Sequence, residues 1–492
     1  MNLRERHGVL DLRLLPVAAG AWIGSALGWA GTGWAVAASC ACALIALSVG
    51  IVRALGPLQL FGAVLLIALA WASVAGARAA EAPLAMWTRT AGAVQVTLTG
   101  TVRGVTPLRE GRYLCNLQVD AAALTGNPLV RTREKASITV SAAPPGRGAR
   151  VRIDARVSGE NGRVSGRAYG APKLVSMSTG GQVRGALSHR LSAMGERAGS
   201  LAAGMLLGDR SRMSPDLLAD MRASSLTHLT AVSGLHMGHV LAFALLVAAP
   251  AGRRGSVVAA LALMGAYVLL VGPSGSVIRA ATMATASLCG HFLARPHASV
   301  ACWSIAITLA TLITPQISLD LGFVLSASVT LALSLFVDPT GRALEDIGVP
   351  RLVATPLAVA VVAQAASTPL VVLVTSGIPP LGILANLLAA PLVAPAMLGG
   401  VIVAVSPALP DLFTAAAALP FEAIAAIASL TAVPHWRIPW PQGTAGAVLA
   451  ALALLAWGYL VAYQRPVLTL QAAIRRARLA GYTRASEKGG GG

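Results

Sequence analysis

Long apolar runs joined by short polar links make up most of the chain, and one extended polar stretch interrupts them. Three runs open the sequence, near 14–31, 33–52 and 58–74. About nine more follow, near 226–250, 256–272, 275–293, 299–314, 317–337, 352–375, 383–406, 411–433 and 443–463. Several exceed the ~18–20 apolar residues that cross the hydrocarbon core of a bilayer. Backbone in lipid must satisfy its own N–H and C=O groups, so the pattern predicts helices. Many runs hold Pro or Gly and some are short, which predicts that two or three are re-entrant or broken.

Residues 79–184 follow a period of two. Val94, Val96, Leu98 and Val102 alternate with Gln95, Thr97, Thr99 and Arg103, the pattern of a half-buried strand. Similar runs lie at 113–119, 136–140 and 151–157, with a weaker one at 163–168, and the breaks hold turn sequences such as Gly126-Asn127-Pro128 and Pro144-Pro145-Gly146. Five short strands in roughly 100 residues predict a small OB-like β-barrel. A helical stripe follows: Leu187, Leu191, Met194, Ala198, Leu201 and Met205, with Arg190, Glu196 and Arg197 off it. Two readings fit, a helix in the interface plane or one packed on the membrane bundle. The expected fold is an all-α polytopic membrane bundle of about twelve segments with an inserted extracytoplasmic β domain. Its expected divisions are membrane segments at 1–78, the β domain at 79–184, an amphipathic interfacial helix and turn at 185–222, a second membrane domain at 223–463 and a basic tail at 464–492.

Composition agrees: 55% of the 492 residues are hydrophobic and 12% charged, about half the charge of a soluble domain. The net charge of +19 is nearly all arginine. Arg4, Arg6, Arg13, Arg53, Arg253, Arg254, Arg295, Arg342, Arg351, Arg475, Arg476 and Arg478 share one side if both termini are cytoplasmic, with Arg437 the main exception. The β domain is then outside, and between residues 81 and 184 it carries fifteen Arg and Lys against six Asp and Glu. Two further apolar runs follow the first at once, so the start reads as an anchor and not a cleaved leader. The five cysteines are scattered, without a disulfide framework or zinc spacing.

The chemistry concentrates in Leu226-Thr-His-Leu-Thr-Ala-Val-Ser-Gly-Leu-His-Met-Gly-His239. On one continuous helix, His228, His236 and His239 would lie within about 80° of each other, with Ser233 at i,i+3 from His236. Ionisable residues at membrane depth mark a pathway or site by default, while the bland alternative is a helix interface of small and hydroxylated residues. A zinc site is disfavoured by the spacing and the lack of a nearby carboxylate. An intramembrane serine hydrolase using Ser233 and His236 is the alternative from another class. Ala231-Val-Ser-Gly234, however, lacks the first glycine of a Gly-x-Ser-Gly turn, and no third orienting group is visible. Gly208-Asp209-Arg210 precedes Ser214-Pro215, a helix-start signal. Pro273-Ser-Gly-Ser276-Val-Ile-Arg279 places an arginine just inside a run, where it either snorkels or meets an anion. No P-loop lysine and no His-x-His-x-Asp-His run occur, so neither ATP hydrolysis nor DNA cleavage is expected. No cofactor, no metal and no enzymatic activity are expected.

At these residues the chain resembles the ComEC family of competence proteins. Leu206-Leu-Gly-Asp-Arg210, His228-Leu-Thr-Ala-Val-Ser-Gly-Leu-His236 and Ser276-Val-Ile-Arg-Ala280 stand in the family's order. Gly322-Phe-Val-Leu-Ser326, Thr368-Pro369 and Asn386-Leu-Leu-Ala-Ala-Pro391 follow. The resemblance implies a channel passing single-stranded DNA across the cytoplasmic membrane in natural transformation. Asp209, Arg210, His228, Ser233, Gly234, His236, Ser276, Arg279, Ser326 and Asn386 are its motif or pathway residues. It also implies the lipid bilayer, a DNA receptor outside, a cytoplasmic ATPase inside and a separate nuclease as partners. Two departures are visible. The sequence ends in a Gly-rich tail, so a metallo-β-lactamase-like domain is not expected from it, and Cys115 is alone where some members have a disulfide. A small-solute transporter is the third class of reading.

Overall fold

A computed structural model describes residues 14–30, 57–80, 82–125, 127–160, 163–230, 232, 234–272, 275–292, 299–373, 375, 377–406, 410–433 and 437–453. Each alternating run folds as a strand: β1 (Ala93–Pro107), β2 (Tyr113–Leu124), β3 (Val130–Val140), β4 (Ala149–Glu160) and β5 (Arg163–Ala168), followed by β6 (Lys173–Met177), which the sequence reading lacked. β6 escapes notice because four of its five residues are exposed, so it has no buried face to write into the sequence. β1 pairs with β2, β2 with β3, β3 in parallel with β5, β5 with β4, and β4 with β1, so the pairings run in a closed circuit with β6 beside β4. Val96, Leu98, Val102, Leu117, Ile138 and Ile153 fill the interior. A bulge at Arg103, between the paired Val102 and Gly104, shifts the inward phase of β1 from even to odd positions, so Val105 and Pro107 point in after it.

Helix α3 (Pro83–Ala91) closes one side of this sheet with Leu84, which is fully buried. Its first amides have no partners within the helix. Glu134 of β3 supplies them, accepting from Leu84 N at 3.0 Å and Ala85 N at 2.8 Å. A carboxylate there also meets the positive end of the helix dipole.

The apolar runs fold as α1 (Leu15–Ala30), α2 (Pro57–Ala80), α7 (Gly234–Val247), α8 (Gly252–Val271), α9 (Gly275–Phe292), α10 (Ser299–Ile313), α11 (Leu321–Asp346), α12 (Arg351–Val371), α13 (Gly382–Val405), α14 (Asp411–Thr431) and α15 (Thr444–Ala453). Between the sheet and α7 lie α4 (Thr179–Leu191), α5 (Glu196–Leu207) and α6 (Pro215–Ala223). Among the described residues, five helices are long and apolar enough to cross a membrane, namely α8, α11, α12, α13 and α14. The expected twelve segments are not all shown by these helices. α7 has 14 residues, which at 1.5 Å per residue gives about 21 Å against a core of about 30 Å, and the expected run at 33–52 lies outside the described residues.

The chain divides into two units, Met1–Ala327 with Leu384–His435, and Ser328–Ile383 with Trp436–Gly492. In the first, Leu201, Met205 and Leu206 of α5 pack with Met221, Ala389, Val393, Phe421 and Ile424. The expected single helix over 187–205 is thus two helices, parted at Gly195 with φ +91, and α5 packs among other helices of this unit. In the second unit, Ala332, Val362 and Ala366 form a small core, and Ile378 and Ile438 exchange backbone hydrogen bonds at 3.0 Å.

Candidate functional site

The glycine that ends α5 begins the site. Gly208 is left-handed (φ +67), as the C′ residue of a helix that stops abruptly must be. Its N–H donates to Gly204 O, and Asp209 N–H reaches back to Ala203 O, both at 3.1 Å. Asp209 then folds the turn on itself, its Oδ1 accepting from Ser211 N at 3.0 Å and Ser211 Oγ at 2.7 Å. This leaves Arg210 aimed at the next motif, where its Nε donates to Thr230 O at 2.8 Å. Burial, and then the nearby Arg222, lower the Arg210 pKa from its ordinary value. Ser214 caps α6 by accepting from Leu217 N at 3.1 Å with Pro215 in the first turn, as its sequence signal foretold.

The histidine segment is not one helix. Thr227–Thr230 is a 3-10 turn, and α7 starts only at Gly234. Thr227 Oγ1 donates to Met221 O and Thr230 Oγ1 to Thr227 O. Such local bonds offer the backbone an alternative to the helical ladder. The expected three-histidine face is therefore broken up. His228 is exposed on the turn with Nδ1 3.2 Å from Ser225 O, His236 is fully buried in α7, and His239 is half-buried. Ser233 lies outside the described residues.

Three segments far apart in sequence do meet. Arg279 of α9 is only 3% exposed and donates from Nη2 to Ser326 Oγ of α11 at 2.5 Å. Its Nη1 lies 3.1 Å from Met283 Sδ. Gly234, at the start of α7, faces the same guanidinium, since a Cβ there would stand 3.6 Å from Nη2. Gly234, Arg279 and Ser326 thus form one group, with His236 a half-turn further along α7. Arg279 does not snorkel. Ser276 lies in the first turn of α9, and Asn386 is half-buried in α13. Asp209, Arg210 and His228 make their contacts in the turn region instead. Among the described residues, no cluster of three or more His, Cys, Asp or Glu has a metal-binding arrangement.

Two functional-looking arginines went unnoticed in the sequence. Arg147, in the loop before β4, has its pKa lowered to about 10 by burial, then by Arg184 and Arg103, with Asp209 opposing. Arg184 of α4 is nearly buried and donates from Nε and Nη2 to Leu270 O. Nothing marked them: one sits in a turn and the other on a helix without a clear apolar stripe.

Comparison with known proteins supports the family resemblance. The Competence protein family matches residues 205–465, which is 261 of the 492 residues. ComE operon protein 3 of Bacillus subtilis (strain 168) is similar, 29% identical over 133 residues, or 27% of this chain and 17% of that protein. The chain therefore spans less than a fifth of the length of the curated relative it matches. No solved structure matches. A family match over more than half of the sequence, running through the Gly208 turn, α7 and the Arg279 group alike, makes this chain a member of the Competence protein family, of ComEC type.

Proposed function

We propose that this protein passes single-stranded DNA across the cytoplasmic membrane during natural transformation, with about twelve membrane segments, both termini inside and the β domain outside. The observation that carries this reading is the buried Arg279, held by Ser326 and faced by Gly234. A guanidinium at membrane depth is costly to keep, and with a neutral hydroxyl as its donor-bound partner it retains its positive charge for an anion. Bare phosphates in hydrocarbon would cost tens of kcal/mol each by an idealised Born estimate, so a strand needs such groups along its route. The closed circuit of strand pairings supports reading the outer domain as an OB-like barrel, and its excess of fifteen basic over six acidic residues would concentrate a polyanion. Few aromatics are available there for base stacking, which suits a strand that must keep moving.

In this reading the chain is a channel and not an enzyme, and needs no cofactor. A receptor outside delivers DNA, a cytoplasmic ATPase draws it in, and a separate nuclease removes the second strand. The test is nuclease-protected labelled DNA in cells carrying Arg279→Ala or His236→Ala, with abundance matched by immunoblot. Both variants should lose internalisation while receptor-bound DNA remains at the surface. Normal protected uptake in both would move the route elsewhere in the bundle, and unaltered transformation in a deletion strain would favour a small-solute transporter.

A further inference from the structure

Three arginines from three separate stretches meet where the sheet adjoins the helices of the first unit. Arg103 is the residue that the β1 bulge leaves out of the ladder, and it is exposed. Gly148 N–H donates to Val102 O at 2.9 Å, which lays the loop carrying Arg147 beside that bulge. Ser178 fastens the same loop, donating from both N and Oγ to Gly148 O. Arg184 then donates from Nη1 to Arg147 O at 2.9 Å and from Nε to Leu270 O at 2.9 Å. Among the described residues, the bonds that hold this junction use the carbonyl of Arg147 and not its guanidinium.

That guanidinium lies over two glycines. A Cβ on Gly272 would stand 2.6 Å from Arg147 Nη2, and one on Gly208 would stand 3.5 Å from Nη1. Both glycines have positive φ, +86 and +67, so the chain uses residues that can take these conformations and also let a planar cation approach the backbone. The carboxylate that offsets the cations is Asp209, and it already accepts two hydrogen bonds from Ser211. Gathering like charges here is unfavourable without an anion to bridge them, and guanidiniums bind phosphate oxygens bidentately.

We propose that Arg103 and Arg147, with Arg184 as the positioning residue, form a phosphodiester site that takes a single strand of DNA as it leaves the β domain for the helices. This rests on the strand-passage reading above and names the first contact within it. The experiment uses the full chain in phosphatidylcholine nanodiscs and a fluorescent oligothymidylate, titrated across a range of salt. Arg103→Gln and Arg147→Gln should each weaken binding about three- to tenfold and flatten the slope of log affinity against log salt by about 0.7. Arg147→Lys should restore the slope but not the full affinity, because it keeps charge and loses the fork. Arg103 is exposed, so its variant should fold normally. Unchanged slopes in both Gln variants would overturn the site. So would arginine-dependent binding of phosphatidylglycerol in the discs with no oligothymidylate binding in phosphatidylcholine alone. Protected uptake in cells tests the underlying reading separately. A wild type without uptake that still shows both slope changes keeps the anion site and removes the channel.

Discussion

Replacing Arg279 by methionine should separate folding from function. The guanidinium is 3% exposed. Its polar contacts among the described residues are a hydroxyl at 2.5 Å and a thioether at 3.1 Å, and Nε has no hydrogen-bond partner there. The bond to Ser326 is worth about 1.5–3 kcal/mol as a hydrogen bond to a charged group. Against it stands the desolvation of a full charge, several kcal/mol after relaxation. Replacing buried ion pairs by apolar residues of similar volume is often neutral or stabilising by about 1–4 kcal/mol, and Arg279 has a hydroxyl and a thioether, not a carboxylate, as its contacts among the described residues. Methionine has the length to fill the space and the flexibility to settle there. Arg279→Met should therefore unfold at the same temperature as the wild type or higher, measured by intrinsic fluorescence in detergent, while protected DNA uptake is lost. Arg279→Ala leaves a cavity and should unfold lower. If Arg279→Met is destabilised and poorly abundant, the arginine is there to hold helices together. If it is stable and still takes up DNA, the guanidinium plays no part in transport.

Arg210→Ala removes the donor to Thr230 O and should cost about 1.5–3 kcal/mol of stability, read as a lower melting temperature than that of Arg210→Lys or the wild type. Burial raises Cys115 from its ordinary value near 9.0 to about 12. The folded state then holds a proton that the unfolded state releases, so stability should be full below pH 9.0 and fall as the pH rises toward 12. Cys115→Val should flatten that slope in alkaline denaturation, and an equal slope in both would refute the assignment. A cysteine placed at Ser141, which is exposed, should react with an impermeant maleimide outside cells, and one at Ser486 should not. The reverse pattern would invert the orientation. A serine-directed probe should leave Ser233 unlabelled, and covalent labelling there would favour the hydrolase.

The sheet was legible because its buried residues alternate: Val94, Val96, Leu98 and Val102 each face the interior. β6 was not, since an exposed edge strand leaves no period. The motif residues Gly234, Arg279 and Ser326 stood out singly, as polar or glycine positions in apolar surroundings, but 92 residues separate the first from the last and no local pattern states that they touch. The histidine segment misled for the opposite reason. Its apolar and polar positions keep helical spacing across Thr227 and Thr230, yet their hydroxyls bond to nearby carbonyls and break the ladder. Arg147 and Arg184 were illegible because their significance is a shared location, created only when the loop before β4 meets α4.

The first helix shows how the order of synthesis bears on assembly. Gly24 and Gly28 bring the backbone of α1 against Leu65 O and Leu69 O of α2 so closely that any side chain there would clash, the small-residue contact by which helices join in lipid. The opposite partners of α1 arrive far later: Trp22 Nε1 donates to Ser318 O, Ser25 Oγ donates to Thr311 O, and the Trp22 ring sits against Trp303 and Phe323. Those partners are nearly three hundred residues downstream, which at about 5–20 residues per second means a wait of roughly 15–60 s on the ribosome. Through that interval the glycine contact with α2 would be the packing available to α1. The same separation implies that the chain can be cut in two. A fragment carrying α1 and α2, made apart from the remainder, has both a self-sufficient pair and an aromatic socket to return to, so co-expressed halves should reassemble unless Gly24 or Gly28 is enlarged.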